Sequence, residues 1–465
     1  MQLPAPFVAL LATVTLALFS VDARPVRSSR ATGRMITLPL RRMQGNTNLH
    51  VELRHQQQIN RAHRLMARAS GLPGPSDAQL RANLEKRASF IPSSPTRRFN
   101  RPSSDYVLAS DDDGAVISNL AVDNSNDSNQ PAVLAQNSTQ IDIDGADTGY
   151  LATVEIGTPS RNFAIILDSG SSDFWVGSDV CTDENGNGCG NHTFLSAANS
   201  QSFVNTGKKW SVTYGSGAAS GEIVTDTVIL GGMVLGNHSF GVAHSMSQSF
   251  SGDKAADGLM GLGGKGLSNQ GVPTPVQAMK DTGFIDQAIT SYRLPRLLDH
   301  TNNGEVTFGG LDESKFDRST LVTVNSTGDG FWFAPLGGVS VDGDDVSGIQ
   351  STVGLMDTGT TLLVVPTKES AAIHAKIPGA KLQSSGQWSI PCGTNTTVAL
   401  KFGGKSFPIN PKDLVFASFG KTTGDCTSGI GSFDDTKFLV GDTFLKSVYF
   451  STNVDENTIT LAQAI

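Results

Sequence analysis

One pattern occurs twice in this chain. Ala164-Ile165-Ile166-Leu167-Asp168-Ser169-Gly170-Ser171-Ser172-Asp173-Phe174-Trp175-Val176 runs from four apolar residues into an acid, a hydroxyl, a glycine, two more hydroxyls and, after Asp173, a second apolar run. Val353-Gly354-Leu355-Met356-Asp357-Thr358-Gly359-Thr360-Thr361-Leu362-Leu363-Val364-Val365 repeats that order 189 residues later. Apolar runs on either side of a Gly/Ser/Thr turn read as two strands meeting at a tight loop. A buried Asp in such a loop is costly unless it is hydrogen-bonded or put to use, and one copy alone reads as an ordinary polar turn. Two copies a domain's length apart point to a duplicated unit with one acid per half. Acids on symmetry-related loops can meet between the halves. Held close, they cannot both ionise cheaply and share a proton, so one is a base and the other an acid in the same pH range.

The two motifs resemble those of the pepsin-like aspartic proteases, and the resemblance covers roughly residues 148–465. Trp210-Ser211-Val212-Thr213-Tyr214-Gly215-Ser216-Gly217 is similar to that family's flap hairpin, with Tyr214 as the flap tyrosine. Asp257-Gly258-Leu259-Met260-Gly261-Leu262-Gly263 and Phe438-Leu439-Val440-Gly441-Asp442 resemble its apolar-apolar-Gly segments, which thread behind each catalytic loop. Ser169 departs from the family's usual Thr, keeping the hydroxyl and losing a methyl group.

The resemblance implies a mainly β, bilobal pepsin-like fold of two duplicated β-barrel-like lobes with the active-site cleft between them. It implies an aspartic endopeptidase that hydrolyses peptide bonds at acidic pH, preferably between hydrophobic residues, through a water activated by Asp168 and Asp357. Ser169 and Thr358 would orient the acids, Ser171 and Thr360 would donate to them, and Gly170 and Gly359 would let the two backbones approach closely. Tyr214 and Gly215 would close over an extended peptide. Trp175 would be the hydrogen-bond partner of Tyr214, with core packing as its other reading. Phe174, Leu259, Leu363 and Val365, near the acids in sequence, suggest apolar substrate pockets. No cofactor and no metal is implied, and a monomer is expected.

Residues 1–23 have an apolar centre, Phe7 to Val14 continuing to Phe19, and end in Val21-Asp22-Ala23. The run is short for a membrane span and reads as a secretory signal peptide. Residues 24–101 carry 16 Lys/Arg against 3 Asp/Glu, a net charge of +13, whereas 102–465 carry 19 against 39, a net charge of −20. A basic solvated tail or a nucleic-acid arm is the bland reading. Behind a secretion signal and beside an acidic remainder, nucleic acid is not expected. The sharper reading is a propeptide that covers an acidic cleft as an intramolecular inhibitor and loosens as acid protonates the cleft carboxylates. Ile59, Ala62, Leu65, Met66 and Ala69 fall at helical spacing, with Gly71 and Pro73 as stops. Lys86-Arg87 and Arg97-Arg98 offer dibasic processing sites.

Residues 102–148, rich in Asp, Asn, Ser and Gln, read as an acidic flexible linker. From Tyr150 on, short strands between glycines dominate, with Thr274–Asp281 and Thr367–Lys376 as two short helix candidates. About 315 residues are too many for one core, so two lobes are expected, 149–316 and 317–465.

Four cysteines in a secreted chain read as two disulfides, with three pairings open. The family resemblance favours Cys181–Cys189 and Cys392–Cys426. With no CxxC and scattered histidines, zinc is not expected. Asn126, Asn137, Asn191, Asn237, Asn325 and Asn395 each open an N-x-Ser/Thr sequon, which suits a secreted surface. Gly-x-Ser-x-Gly is absent around Ser169 and Ser216, which argues against a serine hydrolase of that class. A glycosidase also uses two carboxylates, but twin D-S/T-G loops are not its mark. The strongest non-enzyme alternative is a binding module on the same fold; such relatives commonly lack one acid or the flap tyrosine, and here both are present. The C-terminus has no apolar tail behind a polar spacer, so a lipid-anchored form is not expected. The chain is similar to secreted fungal members of the family, with vacuolar residence the less favoured address.

Overall fold

The computed structural model describes residues 35–44, 50–91 and 147–465, apart from 216, 253–254, 300–302 and 419–423. The expected signal peptide, nearly all of the expected linker, Arg97-Arg98, Asn126 and Asn137 lie outside the described residues.

The fold is mainly β, and the sequence duplication is matched by a duplicated strand arrangement. In the first half, strand Arg161–Asp168 buries Phe163, Ile165 and Leu167 on one face, the period-two pattern of a strand with one side on a core. It runs parallel to Gly258–Gly261, which in turn pairs antiparallel with Phe174–Asp183, so that Leu259 lies opposite Ile166 on one side and Trp175 on the other. In the second half, Val353–Met356 runs parallel to Phe438–Val440, and that strand pairs antiparallel with Leu363–Pro366. Leu439 there lies opposite Leu355 and Val364. In both halves, then, a strand threads between the two arms of the acid-bearing loop and fixes its ends.

A 13-stranded sheet carries the first half and continues through Ile289–Arg293 and Glu305–Phe308 to the C-terminal strands Val448–Asn453 and Thr458–Ala464. The second half adds an eight-stranded and a four-stranded sheet. Helices are few and short here. Pro275–Asp281 and Thr367–His374 form where the sequence suggested them, the first capped by the Thr274 hydroxyl on the Gln277 N–H.

The basic N-terminal segment is part of this architecture. Strand β1, Ile36–Gln44, inserts between Glu305–Phe308 and Asp147–Ile156, pairing antiparallel with both. Its alternate residues Ile36, Leu38 and Leu40 are buried. Helix α1, Val51–Ala69, buries Ile59, Ala62, Leu65 and Met66 against Phe331, Phe333, Leu362 and Phe433 of the second half. It stops where Gly71 takes a left-handed backbone, φ +64°, which a residue with a side chain adopts only with strain. Helix α2, Asp77–Ala88, opens on a capping box between Ser76 and Gln79. Arg87, read in the sequence as half of a processing site, is held between the two helices and the second half. Its guanidinium donates to Gln56 Oε1 at 2.7 and 3.1 Å and to the Ser385 carbonyl at 2.5 Å.

The disulfides are Cys181–Cys189 and Cys392–Cys426, with Cα separations of 5.5 and 5.0 Å. They span 8 and 34 residues of sequence. Constraint of the unfolded chain grows with loop size, giving about 2.5 kcal/mol for the short loop and about 4 kcal/mol for the long one. Replacing Cys392 and Cys426 together with Ser is expected to cost more stability than replacing Cys181 and Cys189, by about 1 kcal/mol or more, in urea unfolding of the two variants.

Candidate active site

The two motif loops meet head to head and are tied to each other by their hydroxyl residues. The Ser169 N–H donates to Thr358 Oγ1 at 3.0 Å, and the Thr358 N–H donates to Ser169 Oγ at 3.0 Å. Each hydroxyl then donates across the pair, Thr358 to the Leu167 carbonyl at 3.0 Å and Ser169 to the Met356 carbonyl at 3.3 Å. Serine thus fills the place of the usual threonine, because the network uses the hydroxyl and not the methyl.

This clasp brings the carboxylates of Asp168 and Asp357 together. Asp168 accepts from the Gly170 N–H at 3.0 Å and the Ser171 hydroxyl at 2.5 Å. Asp357 accepts from the Gly359 N–H at 2.9 Å and from the Thr360 hydroxyl. Each glycine faces the opposite acid: a methyl group on Gly170 would stand 2.6 Å from Asp357 Oδ1, and one on Gly359 would stand 2.6 Å from Asp168 Oδ1. Both acids are buried, Asp357 with 1% of its surface exposed. Burial first, and then the charge of Asp168, push the Asp357 carboxyl up to about 7 from its ordinary 3.8, against the pull of Arg61, Thr360 and the Gly359 N–H. Two carboxyls so placed interact strongly, and their titration belongs to the pair.

Tyr214 stands at the tip of the hairpin made by Val204–Thr213 and Ala218–Leu230, where its N–H closes the turn on the Gly217 carbonyl. Its phenol oxygen accepts from Trp175 Nε1 at 2.8 Å. Phe250 packs edge-on against both rings. Burial, then the charges of Asp173 and Asp168, hold the Tyr214 phenol well above its ordinary range, so it stays a neutral O–H.

Arg61, on α1, has no counterpart in the sequence reading. The point 2.6 Å from Asp168 Oδ1 and 3.1 Å from Asp357 Oδ1 lies 3.1 Å from Arg61 Nη2, so the guanidinium and both acids converge. The backbone of Arg61 also presses on the hairpin tip, its carbonyl 2.4 Å from where a methyl on Gly215 would be. Beside this contact is a cavity of about 590 Å³ lined by Arg61, Arg64, Arg68, Tyr214 and both acids. The sequence signal for Arg61 is its place on a basic helix, but nothing local distinguishes it from Arg64 or Arg68.

Asp173, in the first motif, is also tied in. It accepts from Ser268 Oγ at 2.9 Å, from the Asn269 and Gln270 N–H groups at 2.8 and 3.0 Å, and from Asn269 Nδ2 at 2.7 Å. It anchors the 268–270 loop beneath the site.

The apolar-pocket reading needs correction. Phe174, Leu363 and Val365 are buried in the main core, 2% exposed or less, because the strands that carry the acids continue straight into it. Leu259 alone of the four packs with Tyr214, Trp175 and Phe250. Of the sequons, Asn191, Asn237, Asn325 and Asn395 are exposed. Among the described residues no three His, Cys, Asp or Glu side chains group as a metal set, and no helix is long and apolar enough to cross a membrane.

A family model described as eukaryotic aspartyl protease matches residues 149–464. The major aspartyl peptidase 1 of Cryptococcus neoformans var. grubii is 32% identical over 344 residues, covering 69% of this chain and 70% of that protein. The aspartic-type endopeptidase ctsD of Aspergillus fumigatus is 32% identical over 328 residues, 70% of this chain and 68% of its own. Rhizopuspepsin of Rhizopus chinensis is 34% identical over 315 residues, 66% of this chain and 76% of its own.

Proposed function

The chain belongs to the eukaryotic aspartyl proteases and is an aspartic-type endopeptidase, and from that premise we propose that Asp168 and Asp357 are its catalytic pair, that residues 24–101 are an inhibitory prosegment, and that it acts outside the cell at acid pH. The observation that carries the reading is the mutual placement of the two acids, each held by its own glycine N–H and hydroxyl and each facing the other's glycine.

A water held between the carboxyls is within reach of both. The ionised member takes a proton from it as it attacks the carbonyl carbon of a peptide bond. The protonated member gives its proton to the developing oxyanion. Collapse of the tetrahedral gem-diol breaks the C–N bond as the nitrogen takes the proton held by one carboxyl, while the other carboxylate takes a proton from one of the two hydroxyls as the new carboxylic acid forms, so the pair again holds a single proton. No covalent intermediate is needed. The Tyr214 hairpin lies over the site and excludes water from it, and Gly215 leaves room for a chain to pass beneath. Trp175, Phe250 and Leu259 are buried with Tyr214 and back its ring from the core side; a preference for hydrophobic substrate side chains is a further part of the proposal.

The prosegment reading is supported by α1 lying beside the acids, with the Arg61 guanidinium near both. A guanidinium there favours ionised carboxyls. Lobes at 149–316 and 317–465, an acidic linker before them, secretion rather than vacuolar residence, and a monomer complete the proposal.

The test is proteolysis of a denatured protein substrate from pH 2 to 7, by the full chain and by acid-treated chain, with and without pepstatin. Activity confined to acid, appearing on acid treatment and abolished by the inhibitor, is the expected result. A full chain as active at neutral pH as the acid-treated one removes the prosegment reading. No activity in fully processed protein removes the catalytic one and leaves a binding module.

A further inference from the structure

Away from the acids, α1 meets the second half of the molecule at a pair of buried histidines, one on each side of the contact. His55 of α1 is 3% exposed, and His374, at the end of helix Thr367–His374, is 1% exposed. Ser428 lies between them: its main-chain carbonyl is a hydrogen-bond partner of His55, and its hydroxyl is 2.9 Å from His374 Nε2. The hydrogen bonds define which nitrogens carry protons. Gln387 Nε2 is 3.2 Å from the Glu52 carbonyl, which can only accept, and 2.9 Å from His55 Nδ1. That amide therefore donates to both, and His55 Nδ1 must be bare. A second proton on His55 would set an N–H against the Gln387 N–H, and turning that amide over would offer its unpartnered Oε1 to His55 only by setting the same oxygen against the Glu52 carbonyl. His374 Nδ1 donates to the Ser370 carbonyl at 2.8 Å, and its ring is stacked on Trp388 at 4.6 Å.

The charged and titratable groups around His55 reinforce this. Arg87 of α2 lies on one side and His374 on the other, both opposing a positive His55. Glu52, one turn earlier on α1, is 3.6 Å from Arg87 and turned to it. The remaining neighbours are neutral: Gln387, Ser428, and Phe416 edge-on to the ring. Among the described residues, no carboxylate is hydrogen-bonded or ion-paired to His55 to compensate a proton.

We propose that His55 is a proton-operated release for the prosegment, acting separately from the acids in the cleft. Docking holds its ring neutral; undocking lets it take up a proton. Burial, with Arg87 second, depresses His55 to about 3 in the docked state, and burial depresses His374 to about 4, each from an ordinary 6.5. Because the docked value of His55 is the lowered one, the contact is strongest above pH 6.5 and weakens as pH falls from there toward 3. In that window His55 adds one proton to the undocking step.

The inference rests on the prosegment reading. The experiment follows loss of the prosegment by the full-length chain, on denaturing gels, at several pH values between 4 and 6, in wild type, His55→Gln and His374→Gln. Glutamine stays neutral and keeps a hydrogen-bonding group. The slope of log rate against pH is expected to fall by about one in His55→Gln, with the rate at pH 4 lowered relative to that at pH 6 by about tenfold or more against wild type. His374→Gln is expected to lower the slope by less than His55→Gln. A variant that merely packs worse lifts the whole curve without changing its slope, and the acids of the cleft contribute equally to all three. An unchanged slope in His55→Gln overturns the inference and leaves the prosegment reading standing. A wild-type chain that never sheds the segment in acid overturns both.

Discussion

Asp357→Asn is expected to lower kcat/KM of the acid-processed protein about 10⁴-fold while leaving its melting temperature unchanged or raised. Proton transfer by a positioned group is worth about 10²- to 10⁴-fold. Here the pair supplies both transfers, so the loss falls at the upper end. The fold has no comparable need of the charge. An asparagine oxygen can still accept from the Gly359 N–H, and its amide can donate to the Thr360 hydroxyl, the two partners Asp357 uses now. Burial with a like charge nearby is a cost, and the raised carboxyl of Asp357 is its signature. The sign follows from that shift. A carboxyl whose folded value lies above its unfolded one contributes stability below about pH 4, and that contribution is lost as pH rises through about 7. Thermal unfolding of wild type should therefore weaken from acid toward neutral more than that of Asp357→Asn. Activity surviving in the variant would remove Asp357 from the reaction. A large fall in melting temperature would mean that the acid is structural.

What the sequence yields here follows the range over which each signal acts. The two acid loops are legible because strand, turn and hydroxyl are set within a dozen residues, and because the chain writes them twice. Helix α1 is legible on one face, where Ile59, Ala62, Leu65 and Met66 share a period. Its other face is not. Arg61 matters only because α1 crosses loops more than a hundred residues away, and Arg64 and Arg68 have the same local grammar. His55 is invisible for the same reason, since its partners Gln387 and Ser428 belong to the far half of the chain. Asp173 reads as one more polar turn residue until the 268–270 loop folds onto it. Phe174, Leu363 and Val365 mislead in the opposite way. Closeness to an acid in sequence is no guide to closeness to its cleft when the strand runs on into the core.

Gly359→Ala is the sharper test of the geometry, because it leaves every polar group in place. Its added methyl would stand 2.6 Å from Asp168 Oδ1, where ordinary contact begins at 3.4 Å. Something must give by most of an ångström, and the neighbours leave little choice. Asp168 is held at 3.0 Å by the Gly170 N–H and at 2.5 Å by Ser171, and the two loops are clasped through Ser169 and Thr358. The carboxylate moves out of register with its partner or the clasp stretches, and either way the water between the acids loses its place. A misplacement of about 1 Å costs on the order of 10²-fold in rate, and the fall is expected in kcat more than in KM. Gly170→Ala, whose methyl would meet Asp357 Oδ1 at the same 2.6 Å, is expected to match it. Gly236→Ala is the control, since no atom lies within 4 Å of the methyl it adds; its activity should stay within about twofold of wild type, as surface changes away from such contacts perturb a fold little. Equal activity in all three variants would mean that the acids do not approach each other across these glycines. A loss confined to the two motif glycines is the result that only the facing arrangement produces.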